Sequence, residues 1–154
     1  MIDRYELNKN GEGYTDLTAC KAIKKATKIE NKIKRSEAGE QKTLIAWANL
    51  QSKKHSELKM LFHIPNEGKR SRAYGAELKR LGMRAGVPDL FLAVPRMQNN
   101  ILYGGLFIEM KTGNNKCTEN QKKWIRNLMD YGYQCKVCYS ADEAMQVIKN
   151  YLNI

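Results

Sequence analysis

Gly86-Val87-Pro88-Asp89-Leu90-Phe91-Leu92 is followed by Leu106-Phe107-Ile108-Glu109-Met110-Lys111, and each run has the apolar density of a buried strand. Each also carries charge where a core strand has none. Side chains alternate along a strand, so Glu109 and Lys111 share one face while Ile108 and Met110 point to the other. Asp89 stands at the mouth of its strand, behind a proline that fixes the entry and disfavours helix just before it. If the two strands pair, two carboxylates and an ammonium converge. Carboxylates that close repel unless a cation lies between them. A hard divalent ion such as magnesium suits that position, because it takes oxygen ligands and keeps several waters. The plain alternative is a surface hairpin with solvated charges, but unpaired charge inside apolar strands is costly.

The rest of the chain is consistent with a small enzyme that handles a polyanion. At 154 residues there is room for one domain with a real core. The formal net charge of +11 points to nucleic acid first and to an anionic membrane surface second. No apolar run approaches the ~20 residues that span a bilayer, and no signal-peptide pattern opens the chain, so a soluble, intracellular (cytoplasmic) protein is expected. Four cysteines, Cys20, Cys117, Cys135 and Cys138, raise the question of zinc. Cys135 and Cys138 have CxxC spacing but fall in a predicted strand, where they point to opposite faces, and no second pair completes four ligands. Core thiols in a reducing compartment are the expectation.

In chain order, residues 1–13 are polar with Gly11 and Gly13 close together, which predicts a loose arm. From Asp16 a basic helix is expected to about Ile33, capped by Asp16 or Thr15, with a thin apolar stripe at Leu17, Ile23, Ile29 and Ile33. Residues 1–35 therefore form an arm and an extra helix, and 36–154 the main domain. Ser36 caps the next helix, with Glu37 and Glu40 in its first turn, where the helix dipole favours acids. Leu44, Trp47, Ala48 and Gln51 share a face with Glu40, while Leu44, Ile45 and Ala48 extend a face with Glu37. A first strand is expected over 58–64, broken by Pro65-Asn66-Glu67-Gly68. Asn66 ends it beside the presumed site, where its amide could hold a water or a phosphate oxygen, whereas His63 reads as a half-buried, satisfied histidine. A helix over about 71–81 ends at Gly82, and Lys69, Arg70, Arg72, Lys79, Arg80 and Arg84 form a basic cluster. The second strand covers 89–94, residues 95–103 form a turn-bearing loop with Asn99-Asn100, and the third strand covers 104–111. Thr118 caps a helix whose inward face carries Gln121, Trp124, Ile125 and Leu128. A fourth strand over 133–139 and a helix capped by Ser140 complete the chain.

Pro88-Asp89 followed by Glu109-Met110-Lys111 resembles the PD-(D/E)xK signature of restriction-endonuclease-like nucleases. The wider context, Ile64-Pro65-Asn66-Glu67-Gly68-Lys69-Arg70, then 78–90 (Leu78 through Gly82-Met83-Arg84-Ala85-Gly86 to Leu90), then Thr118-Glu119-Asn120-Gln121, is similar to the virus-type replication-repair nuclease (VRR-NUC) family, in particular its stand-alone bacteriophage-like members. The resemblance covers about Ser36 to Leu152. It implies an α/β fold with a restriction-endonuclease-like core, a mixed four-stranded sheet flanked by helices, in the order α, β, β, β, α, β, α. It implies that Asp89, Glu109 and the backbone carbonyl of Met110 bind magnesium or manganese. It further implies that Lys111 acts on the attacking water or the phosphate, that Glu40 (with Glu37 in reserve) is the carboxylate on the first core helix, and that Gln121 faces the catalytic centre.

The expected activity is metal-dependent hydrolysis of phosphodiester bonds in DNA. Asn66, Lys69, Arg70, Arg72, Lys79, Arg80 and Arg84 are expected to contact the DNA backbone. The relatives that the chain resembles act on branched DNA, including four-way junctions, as symmetric dimers, which implies a Holliday-junction-resolvase-like homodimer. Candidate interfaces are the N-terminal helix, exposed aromatics at Tyr131 and Tyr133, and the apolar hairpin near Ile101 to Leu106. Competing readings are a monomeric flap nuclease, a non-catalytic nucleic-acid-binding module, and an RNA nuclease with the same chemistry. A binder has no need of Asp89, Glu109 and Lys111 together on strands.

Overall fold

The computed structural model describes residues 36–65 and 72–154, together with two short strands near the N-terminus. The chain divides into two compact units, Met1–Arg35 and Ser36–Ile154. In the first, β1 (Tyr5–Leu7) pairs antiparallel with β2 (Tyr14–Asp16), with Glu6 opposite Thr15. Asp16 thus belongs to a strand, and a pair of strands stands where a loose arm was expected. The expected helix over residues 17–33 lies outside the described residues.

The second unit opens with α1 (Glu37–Gln51). Its cap is Ser36, whose hydroxyl accepts the Gly39 N–H at 3.1 Å and so satisfies one of the orphan donors of the first turn. A 3-10 turn (Ser56–Met60) leads into β3 (Leu61–His63), so the first strand is shorter than the apolar pattern suggests. Then follow α2 (Arg72–Arg80), β4 (Leu90–Leu92), the hairpin β5 (Arg96–Gln98) and β6 (Ile101–Tyr103), and β7 (Leu106–Met110). The chain closes with α3 (Glu119–Asp130), β8 (Gln134–Cys138) and α4 (Ala141–Leu152).

The main sheet runs β3-β4-β7-β8. β3, β4 and β7 are antiparallel in turn, while β7 and β8 are parallel and joined through α3, which makes the sheet mixed. This is the restriction-endonuclease-like α/β arrangement. Register gives the sheet two distinct faces. Leu61, Leu92 and Leu106 lie across from one another, as do Leu90 and Ile108, and Met110 and Cys138. These seven are buried, and α1 and α4 close over them with Leu44, Ala48, Ala144, Ile148 and Tyr151 to form the core.

The opposite face carries the alternate residues. Phe62 lies across from Phe91 and Phe91 from Phe107; Phe91 and Phe107 stack with centroids 4.2 Å apart, and Tyr133 sits edge-on to both. Gly105 makes room for this stack, since a Cβ there would stand 2.5 Å from the Phe91 ring. Tyr133 is therefore half-buried sheet packing, a correction to the expectation that it is exposed; Tyr131 is 83% exposed.

The expected loop over 95–103 is a hairpin. Asn99 and Asn100 both adopt positive φ (49° and 62°), the two-residue turn whose twist matches paired strands. It is fastened to the body by Arg96 on Glu57 at 2.8 Å and by Gln98 Nε2 on the carbonyls of Asn150 and Tyr151 at 3.3 Å. Cys117, Cys135 and Cys138 are free thiols; burial pushes Cys135 up to about 11 and Cys138 to about 12. Among the described residues, no helix is long and apolar enough to cross a membrane.

Candidate active site

The site lies on the aromatic face, where β4 begins and β7 ends. Alternation that puts Ile108 and Met110 into the core puts Glu109 and Lys111 on the other side. They are buried there, with 1% and 7% exposure, and Lys111 Nζ donates to Glu109 Oε1 at 2.7 Å. Asp89 is half-buried at the entry to β4, and its Oδ2 accepts the Met110 N–H at 2.9 Å, a bond from the strand that carries the other two charges. Two backbone features hold Asp89 in place. Its carbonyl accepts the Ile64 N–H at 2.7 Å and the His63 Nδ1 hydrogen at 2.8 Å. Upstream, Gly86 has φ +88° and packs so closely on Asn120 that a Cβ would lie 2.9 Å from its backbone carbon. Only glycine meets both demands. The Pro88-Asp89 step is thereby fixed against the start of α3.

Helix α3 supplies the next group. Thr118 and Gln121 form a capping box, in which the Thr118 N–H donates to Gln121 Oε1 at 2.9 Å. With its carbonyl oxygen so committed, the Gln121 amide can only donate, and it donates to Glu109 Oε1. Gln121 is 4% exposed. A glutamine on an inward helix face, odd for a core, thus serves both as a cap partner and as a donor to the buried carboxylate.

The electrostatics of Lys111 reflect the cluster. Burial pulls its pKa down, but the hydrogen bond it donates to Glu109 and the charges of Glu109, Glu37 and Asp89 outweigh it, leaving the ammonium above its ordinary value. Lys111 is therefore a held cation in this arrangement. The Cys117 thiol is raised by burial and then by Glu109, which places this half-buried side chain within the same field.

The first helix brings two carboxylates, Glu37 and Glu40, each bonded to a different partner. Glu40 Oε2 accepts the Ala141 N–H at 2.7 Å, at the first turn of α4, so it ties α1 to the last helix. Glu37 is the helix carboxylate whose charge reaches Lys111, and its Oε1 accepts from Asn115 Nδ2 at 3.1 Å in the loop after β7. The two glutamates are three residues apart on overlapping faces, which is why apolar patterning alone could not separate them. Asn115 carried no sequence signal beyond its place in a polar loop.

Of the residues expected to contact DNA, Lys79, Arg80 and Arg84 are exposed, and Arg80 also meets Glu77 at 3.3 Å. Arg72 opens α2. Asn66, Lys69 and Arg70 lie outside the described residues, as does the side chain of Arg72.

The donor set fits a hard divalent ion. Asp89 immediately precedes β4, one step beyond the Leu90–Ile108 pair that sets Glu109 on the neighbouring strand, so the two carboxylates stand across from each other, and Met110, next to Glu109, offers a backbone carbonyl. Among the described residues no group of three His, Cys, Asp or Glu side chains is poised for a metal. An ion that retains several waters, such as magnesium, suits so sparse a set of protein ligands. Soft-metal chemistry does not fit these oxygens.

Comparison with known proteins bears on the same region. A comparison with curated proteins gives no match. Among solved structures, one described as a VRR_NUC domain protein aligns with a TM-score of 0.63 at 29% identity, covering 77% of this chain and 89% of its own. The model of the VRR-NUC domain matches residues 24–142, a span that holds Asp89, Glu109, Lys111 and Gln121. The chain belongs to the VRR-NUC family, a family of nucleases acting in DNA replication and repair.

Proposed function

We propose that this protein is a divalent-metal-dependent endonuclease that hydrolyses phosphodiester bonds in branched DNA. The observation that carries the reading is the buried Lys111–Glu109 pair with Asp89 held beside it on the Met110 N–H. A buried ion pair is weak as a source of stability, because desolvation offsets most of its Coulomb gain. A constellation of this kind at the ends of the two central strands is better explained by chemistry.

Asp89 and Glu109, with the Met110 carbonyl, would hold magnesium or manganese. When bound, such an ion acidifies a water and neutralises charge on the scissile phosphate. Lys111, kept as an ammonium by its neighbours, orients the attacking water and stabilises the phosphoryl oxygens as charge builds on them. Gln121 fixes the rotamer of Glu109 so that its carboxylate stays aimed at the site, and Met110 N–H does the same for Asp89. Glu37 is the first-helix carboxylate that faces the cluster; Glu40 acts through the packing of α1 on α4. Lys79, Arg80 and Arg84, with Asn66, Lys69, Arg70 and Arg72, supply phosphate contacts, in keeping with the net charge of +11.

For substrate, we favour a four-way junction cut by a two-fold dimer in the manner of a Holliday-junction resolvase. Such a junction has approximate two-fold symmetry, and a C2 dimer offers two identical sites at fixed separation. Met97, Ile101 and Leu102 on the β5–β6 hairpin are 61%, 52% and 63% exposed, which gives the chain an apolar surface of the kind an interface uses. The test is a panel of labelled flap, splayed, four-way and linear DNAs, with magnesium, manganese or EDTA, alongside molecular mass by light scattering. Paired, metal-dependent cuts in the four-way junction by a dimer support the reading. A strict monomer that only nicks a cruciform plasmid removes the resolvase assignment, and no cleavage of any DNA in either metal removes the nuclease.

A further inference from the structure

Beside the site, on the side of the Pro88-Asp89 entry, lies a cavity of about 600 Å³ that the catalytic constellation does not use. Its walls come from α2 and the turn after it (Tyr74, Leu81, Met83, Arg84), from Val87, and from Trp124 of α3. We propose that this cavity takes one unstacked nucleobase of the DNA strand whose phosphate lies at Asp89, Glu109 and Lys111. The inference rests on the nuclease reading above and adds to it a subsite.

Three observations support the assignment. The first is continuity. Val87 is two residues before Asp89, so cavity and carboxylate are within ~7 Å along the chain. On α3, Gln121 and Trp124 are three residues apart and thus neighbours on one face; the first donates to Glu109 and the second lines the cavity. A strand with its phosphate at the site has an adjoining base within reach of the cavity.

The second is chemistry. Two aromatic side chains and an apolar floor offer flat, sequence-tolerant surfaces for a base, and Arg84 adds a guanidinium that stacks or meets a phosphate. Tyr74 and Leu81 are 56% and 74% exposed, an apolar lining open to solvent. The volume lies within the ~300–1000 Å³ of ordinary ligand sites, which accommodates a base with its sugar.

The third is charge. Lys79, Arg80 and Arg84 are exposed on or next to the same wall. An isologous contact with a second copy would set these cations against themselves, whereas a nucleic acid strand neutralises them. Polyanion and apolar pocket together describe a nucleotide.

The test is a binding cycle in EDTA, so that no cleavage intervenes. Kd is measured by fluorescence anisotropy for a splayed duplex, and for a series in which one nucleotide at a time near the branch lacks its base. Tyr74→Ala is expected to weaken binding to the intact DNA about tenfold, within the span for one base–aromatic stack. Removing the base at one particular position should weaken wild-type binding similarly, and at that position the two losses should not add. Leu78→Trp, which fills the cavity from α2, should reproduce the pattern and serves if Tyr74→Ala does not fold. Losses that add at every position overturn the proposal, as does unchanged binding by both variants. So does a change of mass in light scattering on Tyr74→Ala, which assigns the patch to a second copy. A chain that shows the non-additive position yet cuts no DNA with magnesium or manganese retains the subsite and loses the nuclease reading; one that cuts but shows only additive losses does the reverse.

Discussion

The two faces of the main sheet are written by alternate residues of the same strands, and they do opposite things. Leu90, Leu92, Leu106, Ile108 and Met110 are all 0% exposed and are sealed by α1 and α4. Between them in sequence stand Asp89, Phe91, Phe107, Glu109 and Lys111. On the first face every buried group is apolar, so each contributes by leaving water, and no geometry beyond close packing is asked of it. On the second, Glu109 and Lys111 are buried and Asp89 is half-buried, and each has a named partner: Lys111 and Gln121 donate to Glu109, and the Met110 N–H donates to Asp89. Buried charges cost stability unless fully paired, and the pairing fixes direction as well as energy. The core face holds the fold up; the other face uses that rigidity to aim polar atoms.

The largest effects should come from the polar face and leave the fold intact. Asp89→Asn, Glu109→Gln and Lys111→Met should each lower single-turnover cleavage about a thousandfold or more, in line with losing a pre-aimed electrostatic group. DNA binding in anisotropy should persist. Lys111→Ala that still cuts in magnesium would break the assignment of this face to catalysis.

The reverse substitution sharpens the comparison from the other side. Leu106→Ala, on the core face of β7, should cost about 2–5 kcal/mol in urea unfolding, from lost transfer energy and the cavity left behind. Cleavage per folded molecule should stay near wild type. A Leu106→Ala protein with normal stability and no activity would mean that the two faces are not separable.

What could be read beforehand follows from how local the cause is. Pro88-Asp89, Glu109 and Lys111 were visible because charge inside an apolar run is anomalous at the level of single residues. Ser36, Thr118 and Ser140 were visible as caps because a hydroxyl before an acidic first turn acts on groups within three residues of itself. The 3-10 turn at Ser56–Met60 was not, since Leu58 and Leu61 serve either a short strand or a helical turn. The β5–β6 hairpin looks like a loop in sequence because its strands are three residues each, although Asn99-Asn100 carries the turn signal. The burial of Tyr133 is not legible locally, because only tertiary packing, on Phe91 and Phe107, decides whether an aromatic beside a turn is exposed. Glu37 accepts from Asn115 and Glu40 from Ala141, partners 78 and 101 residues away, and no local pattern reports that.

A smaller effect should come from the joint between loop and site. Gly86→Ala adds a Cβ against the Asn120 backbone at a φ of +88°. Strain of about 1–3 kcal/mol is expected, and relief requires the Pro88-Asp89 step to shift. Stability and cleavage should fall together, unlike either face substitution alone. Cleavage unchanged beside a lowered melting temperature would show that Asp89 is held by the His63 and Ile64 bonds without help from Gly86.

The smallest effect discriminates between the two helix glutamates. Glu40 accepts from the first N–H of α4, where a negative charge meets the positive end of the helix dipole. Glu40→Gln keeps an acceptor oxygen and loses the charge, so it should cost about 0.3–1 kcal/mol of stability while cleavage per folded molecule is unchanged. Glu37 stands in the field of Lys111 and accepts from Asn115 in the loop after β7. Glu37→Gln removes a charge that acts on Lys111 without uncovering apolar surface, so its melting temperature should stay close to wild type while cleavage falls about tenfold or more at saturating magnesium, the size typical of a lost supporting group around a metal site. Paired melting and single-turnover curves for the two variants decide it. If Glu40→Gln loses cleavage and Glu37→Gln does not, the carboxylate that serves the chemistry is the one bonded to α4, and the polar face reaches round the edge of the sheet to the helices that seal the other.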